Sequence, residues 1–469
     1  MKKILLFLFI PLLFAACHKE DDDIRKFDSE NDYEILSYSE GSSLFLTYSY
    51  PSVDENGKLI RLSSALMAYN PAQRDSSSFI RSVIISCHIT NASEVDCPSR
   101  IKSSLRINDA TIMNSIPVNA KIPELKQSVI IMPDYQGFGI SEQYNHPYMS
   151  QELTARQVAD AVRYGLLIYK ELSNPLPFAD DWKSFCIGFS QGGAVALATQ
   201  RYIEQHALDK ELHFVGSFCG EGPYDLLETV KYHMLDDGNT TGIETGHTKG
   251  TIDIPVVLPL IIKGMIDSNP HMKKHSITDY LSKQFIDTGI IDWIASKQKS
   301  TNDIAKDWYE MCEKGLTAKD GTHYSPEQMQ ELFPDHGKKR ILFQDFYSVK
   351  ADLFKLYTPE LAEYLSNPST YNSEHHFTGD KKDDMLATLE LNSTVTGWQP
   401  VHKIILLHSQ YDTVIPATNL IAFTSSHPDA DIKTVYFGKE NHLETGIYFF
   451  LALLDTTFSE EFTWLFAEK

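Results

Sequence analysis

Ser184-Phe185-Cys186-Ile187-Gly188-Phe189-Ser190-Gln191-Gly192-Gly193-Ala194 decides how this chain is read. Ser184 to Ile187 has the apolar pattern of a strand, and Ala194 to Tyr202 has the alanine-rich pattern of a helix. Between them lies Gly-x-Ser-x-Gly. A strand that turns sharply into a helix holds its apex residue at strained φ/ψ, and side chains two places to either side would strike the neighbouring backbone. Glycine at 188 and 192 meets that demand. The turn lifts the Ser190 hydroxyl clear of a sheet and sets the Gln191 amide at the positive end of a helix. The competing reading is a glycine-rich turn with an idle serine.

Working outward, strand and helix patterns alternate. Val83-Ile84-Ile85-Ser86-Cys87 and Val129-Ile130-Ile131-Met132 are continuous apolar runs, the mark of central strands buried on both faces. Gln157 to Leu172 carries Val158, Val162, Leu166 and Tyr169 on one helical stripe. His213 to Phe218, Ile404 to His408 and Lys433 to Phe437 are further strands. Repeated strand–helix–strand units predict an α/β protein with a mostly parallel sheet covered on both faces. Ser43 to Tyr50, the turn residues Asp54 to Lys58, and Leu59 to Tyr69 predict an antiparallel hairpin leading into it. From 225 to 397 the rhythm breaks into polar sequence with helical patches and no strong strand, which predicts a helical insertion capping the sheet's edge.

Two more loops carry chemistry. His408-Ser409-Gln410-Tyr411-Asp412-Thr413-Val414-Ile415-Pro416 follows a strand, placing Asp412 at the sheet edge where α/β proteins keep their sites. A carboxylate there can accept the Nδ1 hydrogen of a histidine and fix its tautomer; the plainer reading is a turn aspartate before a proline. Gly438-Lys439-Glu440-Asn441-His442 follows the next strand, so His442 is expected on a loop at the same edge, ahead of an apolar helix from Thr445 to Leu454. With 17 His in the chain one histidine means little. The order Ser190, Asp412, His442, each after its own strand, is what counts.

On these residues the chain resembles the α/β-hydrolases, and within them secretory-lipase-like esterases. Asp134-Tyr135-Gln136-Gly137-Phe138-Gly139 resembles their Asp-x-x-Gly-x-Gly turn after the fourth sheet strand. Gly222-Pro223-Tyr224-Asp225 resembles the segment entering the cap, and Asn392 to Pro400 the return from it. The resemblance implies an α/β-hydrolase fold with its core at 43–224 and 398–469 and its cap at 225–397. It implies a serine hydrolase of carboxylic esters: Ser190 as nucleophile, His442 as base and Asp412 as its acid, with no metal or cofactor. The substrate would be a small-molecule, lipid or glycan ester. The oxyanion hole would be the Gln191 amide with one from the loop His88-Ile89-Thr90, taken as Thr90. That loop departs from the common His-Gly-x by carrying Ile89; His88 is read as structural. The apolar segment Ile254 to Ile266 would line an acyl site, move as a lid, or simply pack within the cap. A glycan acetyl or feruloyl esterase and a serine exopeptidase use the same triad. About 60 residues before the third strand leave no room for the β-propeller of prolyl-oligopeptidase-type exopeptidases. A binding lipoprotein on an inactive scaffold is the non-enzymatic alternative.

The N-terminus reads as an address. Lys2 and Lys3 precede the apolar Ile4 to Ala16, too short for a span of about 20 residues. Leu13-Phe14-Ala15-Ala16-Cys17 resembles a bacterial lipobox, which implies a signal peptide at 1–16 and lipid on Cys17. Glu20-Asp21-Asp22-Asp23 resembles the surface-export signal of Bacteroidetes lipoproteins, so 17–42 is read as an acidic linker. The expected place is the bacterial cell envelope, anchored to the outer membrane. The other cysteines are Cys87, Cys97, Cys186, Cys219 and Cys312. Cys186 and Cys219 read as buried thiols, and the Cys87–Cys97 spacing leaves a short disulfide loop open. The 469 residues are 42% hydrophobic and carry a net charge of −21. That balance supports a sizeable core and speaks against nucleic acid as a partner.

Overall fold

The computed structural model describes residues 33–103, 108–238, 243–341, 344–367 and 379–467. Residues 1–16, read as a signal peptide, and Cys17 lie outside them. Among the described residues no helix is long and apolar enough to cross a membrane.

The central sheet has strands β1 (Glu34–Glu40), β2 (Ser43–Val53), β3 (Leu59–Tyr69), β4 (Ile80–Cys87), β5 (Ser128–Pro133), β6 (Phe178–Phe189), β7 (Phe214–Gly220), β8 (Lys403–His408) and β9 (Ile432–Tyr436). Their order is β1-β2-β3-β5-β4-β6-β7-β8-β9. From β5 to β9 every pair is parallel, while β1, β2 and β3 pair antiparallel and β3 joins antiparallel to β5. The expected hairpin is β2–β3. Its turn is closed by Asp54, whose Oδ1 accepts the amides of Asn56 and Lys58, each at 2.9 Å.

The apolar runs are central strands because both of their faces are covered. Val83, Ile85, Val129, Ile131, Ile404 and Leu406 face helices α1 (Gln151–Glu171) and α2 (Gln191–Gln205). Ile84, Ile130, Phe185, Ile187, Phe218, Ile405 and Leu407 face the opposite layer, with Phe449, Phe450 and Phe462. Burying each such side chain contributes roughly 1.5–3 kcal/mol, which holds the strand ends in place beneath the site.

Three expectations are corrected. Residues 34–40, placed in the linker, form the edge strand β1 instead; its side chains bury no face, so its pairing with β2 makes it a strand. The insertion is not purely helical, because Asp335–Ile341 and Gln344–Asp352 form a β-hairpin to which Thr251–Ile252 adds a third strand. The first of these reads Asp-His-Gly-Lys-Lys-Arg-Ile, which has no strand periodicity; backbone pairing and packing of the hairpin on helix Thr301–Lys314 decide it. His442 is not on a loop: it is the first residue of a helix (His442–Ala452) that starts three residues before the expected Thr445, because Asn441 caps it by accepting the Glu444 amide at 3.1 Å.

The insertion between β7 and β8 has its own core around Phe285, Trp308, Met329, Phe333 and Leu356. Its ends are tied together: the Leu226 amide donates to Ser393 Oγ at 3.0 Å and the Thr394 amide to the Tyr224 carbonyl at 2.8 Å. Cys87, Cys97, Cys186, Cys219 and Cys312 are all buried free thiols, so the Cys87–Cys97 loop is not closed.

Candidate active site

Ser190 sits between the last residue of β6 and the first of α2, at φ 57° and ψ −124°. The glycines around it are required by space. A Cβ on Gly188 would lie 2.2 Å from the Gly192 carbonyl oxygen, and one on Gly192 would lie 2.1 Å from that of Cys87. The Ser190 amide donates to the Gly220 carbonyl at 2.8 Å, which ties the turn to the end of β7.

The ends of two further parallel strands, β8 and β9, deliver the rest. Asp412 follows β8, and its Oδ1 accepts the amides of Val414 at 2.7 Å and Ile415 at 3.0 Å. Its Oδ2 faces His442 Nδ1 at 2.6 Å. His442 Nε2 lies 2.8 Å from Ser190 Oγ. The imidazole packs against the Phe189 ring with centroids 5.1 Å apart. Ser190, His442 and Asp412, distant in sequence, therefore form one hydrogen-bonded chain. Its electrostatics follow from burial and pairing. Burial pushes the Asp412 carboxyl up, but the charge and hydrogen bond of His442 outweigh it and hold Asp412 at about 2. Burial alone would favour a neutral His442; the Asp412 carboxylate outweighs it and raises the imidazole to about 10.

The sequence reading missed Glu221. It follows β7 directly, is fully buried, and places Oε2 3.1 Å from His442 Nδ1. The signal was present as an acidic residue in Gly220-Glu221-Gly222 just past a strand at the same sheet edge. Among the described residues, Glu221, Asp412 and His442 are also the group whose ligating atoms come close enough to hold a metal. Both ring nitrogens of His442 are already engaged, by Asp412 and by Ser190.

The loop after β4 lies against the serine turn, since a Cβ on Gly192 would meet the His88 carbonyl oxygen at 2.8 Å. His88 is structural: its ring nitrogens face the carbonyls of Ile89 at 2.7 Å and Asp134 at 3.2 Å, and it stacks on Tyr135. The Ile89 amide is occupied by Asp109 Oδ2 at 2.9 Å, a buried carboxylate also missed from sequence. Thr90 has its hydroxyl 2.6 Å from the Tyr148 phenol. Tyr148 in turn belongs to the insertion's core. Helix α3 (Val257–Ser268), the expected acyl-site or lid segment, packs in that same core through Leu258, Leu260, Ile262 and Met265. The Gln191 amide opens α2 beside Ser190.

Neither a protein-family model nor a curated protein matches the sequence. Solved structures match its fold. The rice cell wall degrading esterase LipA from Xanthomonas oryzae is 19% identical over 91% of this chain and 94% of its own, with a TM-score of 0.58. The Legionella pneumophila protein lpg1103 is 15% identical over 93% and 98%, at 0.60. Candida antarctica lipase A in its closed state is 12% identical over 90% and 81%, at 0.51. The chain has the α/β-hydrolase fold, with a large, mostly parallel sheet between helical layers.

Proposed function

We propose that the protein is a serine hydrolase of carboxylic esters that works through an acyl-enzyme. The observation that carries the reading is the chain from Asp412 to His442 at 2.6 Å and from His442 to Ser190 at 2.8 Å, at a strained strand-to-helix turn. His442 takes the Ser190 proton as the hydroxyl attacks the ester carbonyl, forming a C–O bond and a tetrahedral oxyanion. The amides of Gln191 and Thr90 hold that oxyanion; each such donor contributes roughly 2.7–4 kcal/mol to the transition state. Collapse expels the alcohol, which leaves with the proton from His442. Water, deprotonated by the same imidazole, then releases the acid.

The insertion acts as a cap. Its contacts beside the site include His233 with the Val414 carbonyl and Asp253 with Thr413, both next to Asp412, and Lys339 with Glu444 in the helix that His442 opens. The similarity of fold to an esterase that degrades plant cell wall supports a glycan ester as the favoured substrate class, with a lipid ester as the alternative that Candida antarctica lipase A suggests. The chain would be exported and held to the outer membrane by lipid on Cys17.

A fluorophosphonate probe should label the wild type and fail to label Ser190→Ala. Hydrolysis of p-nitrophenyl esters of rising chain length, beside acetyl-xylan, feruloyl esters and dipeptidyl amides, separates the substrate classes. Turnover confined to the amides would overturn the esterase reading. Incorporation of labelled palmitate should disappear in Cys17→Ala; if it persists, the anchor lies elsewhere.

A further inference from the structure

Glu221 holds a φ of 42°, in the left-handed region that a residue with a Cβ enters at a cost. What keeps it there is visible on all sides. Its amide donates to the Leu407 carbonyl at 3.0 Å, and its Oε1 accepts the Ser409 amide at 2.7 Å. Oε2 stands 3.1 Å from His442 Nδ1, beside Asp412 Oδ2 at 2.6 Å. An oxygen of each carboxyl lies within 4.8 Å of the other, against the same ring nitrogen. Two like charges buried against one nitrogen repel, which favours a proton on one of the two carboxyls. Burial, then the charge of Asp412, pushes Glu221 well above the usual carboxylate range, so Glu221 carries the proton and Asp412 the charge. The serine, histidine and aspartate chemistry above makes no use of this side chain.

We propose, resting on the reading of Ser190, His442 and Asp412 as the reacting site, that Glu221 is a second acid of that site. It is a positioning residue that stands protonated beside Asp412 and takes over against His442 Nδ1 when residue 412 carries no charge. The change is a proton relocation: Glu221 gives its proton to water, and the resulting carboxylate accepts the Nδ1 hydrogen that Asp412 accepted before. The tautomer of His442 is kept, with Nε2 still free to take the Ser190 proton.

The test is a double-mutant cycle on the purified full chain with p-nitrophenyl acetate, comparing wild type, Glu221→Gln, Asp412→Asn and the double variant. Glu221→Gln alone should cost less than about tenfold, because Asp412 still accepts the Nδ1 hydrogen of His442 and the amide, like the protonated carboxyl, carries no charge. In the Asp412→Asn background the same change should cost more than about a hundredfold, as a fall in kcat with KM little changed. A merely structural glutamate would cost the same factor in both backgrounds. Equal factors, or a loss confined to KM, would overturn the proposal. Where the double variant fails to fold, Glu221→Gly replaces Glu221→Gln, since glycine adopts the observed φ without strain. His442→Ala separates the two readings. Wild-type turnover there would remove the reacting site and the proposal with it. Lost turnover there, together with equal factors in the cycle, would remove Glu221 alone.

Discussion

The His233 imidazole holds Nε2 2.9 Å from the Val414 carbonyl and Nδ1 3.0 Å from the Thr251 carbonyl, and since burial favours the neutral ring its one N–H donates to one of the two. One buried ring thus joins the insertion's first helix, its three-stranded sheet and the loop that carries Asp412. Thr413, in the same loop, bonds Asp253 of the insertion. The insertion is therefore braced against the acid loop by two polar contacts from adjacent residues.

His233→Ala should destabilise the protein by roughly 1–3 kcal/mol, because a buried carbonyl loses its donor and the ring's packing is lost. It should also lower kcat/KM about tenfold by loosening Asp412. Urea unfolding and steady-state kinetics measure the two effects; unchanged kinetics would show that the brace does not reach the site.

Gly192→Ala should lower activity at least a hundredfold. The added Cβ would fall 2.1 Å from the Cys87 carbonyl oxygen, so the serine turn cannot keep its shape. Fluorophosphonate labelling rates give the readout, with thermal unfolding as the control for folding. Near-normal labelling would mean that the backbone can yield there.

Tyr148→Phe should reduce kcat about tenfold with little change in KM. It removes the phenol that pairs with the Thr90 hydroxyl and leaves the fold's apolar contacts in place. A loss in KM alone would place Tyr148 in substrate binding and not in support of the oxyanion loop.

His442 must be neutral to accept the Ser190 proton, and Asp412 raises it above its ordinary value of 6.5. Ester kcat/KM should therefore keep rising between pH 7 and pH 9, by roughly a hundredfold overall. The same raised pKa stabilises the fold fully below about 6.5, and that contribution is lost as pH climbs through about 10. Initial rates corrected for spontaneous hydrolysis test this; a profile already flat at pH 6.5 would contradict it.

Glu94 is raised to about 7, by burial first and then by the charge of Asp134. Its folded form binds a proton that its unfolded form has released, so stability falls as pH rises from about 4.5 to about 7. Glu94→Gln, which does not titrate, should gain melting temperature over wild type at pH 8 and not at pH 4. Parallel thermal melts at the two pH values decide it.

Much of the architecture was legible because the central strands are buried on both faces and so read as continuous apolar runs, as in Val83 to Ile85 and Val129 to Ile131. Ser190 was legible because its turn imposes glycine at 188 and 192 through backbone collisions alone. Strand β1 and the hairpin of the insertion were not legible. β1 is exposed along its length and Asp335–Ile341 has no strand periodicity, so pairing with a neighbour is what makes them strands. The start of the helix at His442 was hidden for a different reason: its cap, Asn441, is one polar residue in a polar loop.

The chain's own amino acids determined the order of strands and helices, the serine turn, and the positions of Asp412 and His442 after their strands, because each of these depends on local sterics and hydrophobic period. Only the tertiary structure decided which carboxylates meet the imidazole. Contact between Glu221, Asp412 and His442 depends on three strand ends lying side by side in the sheet, and no spacing along the chain encodes a distance across it.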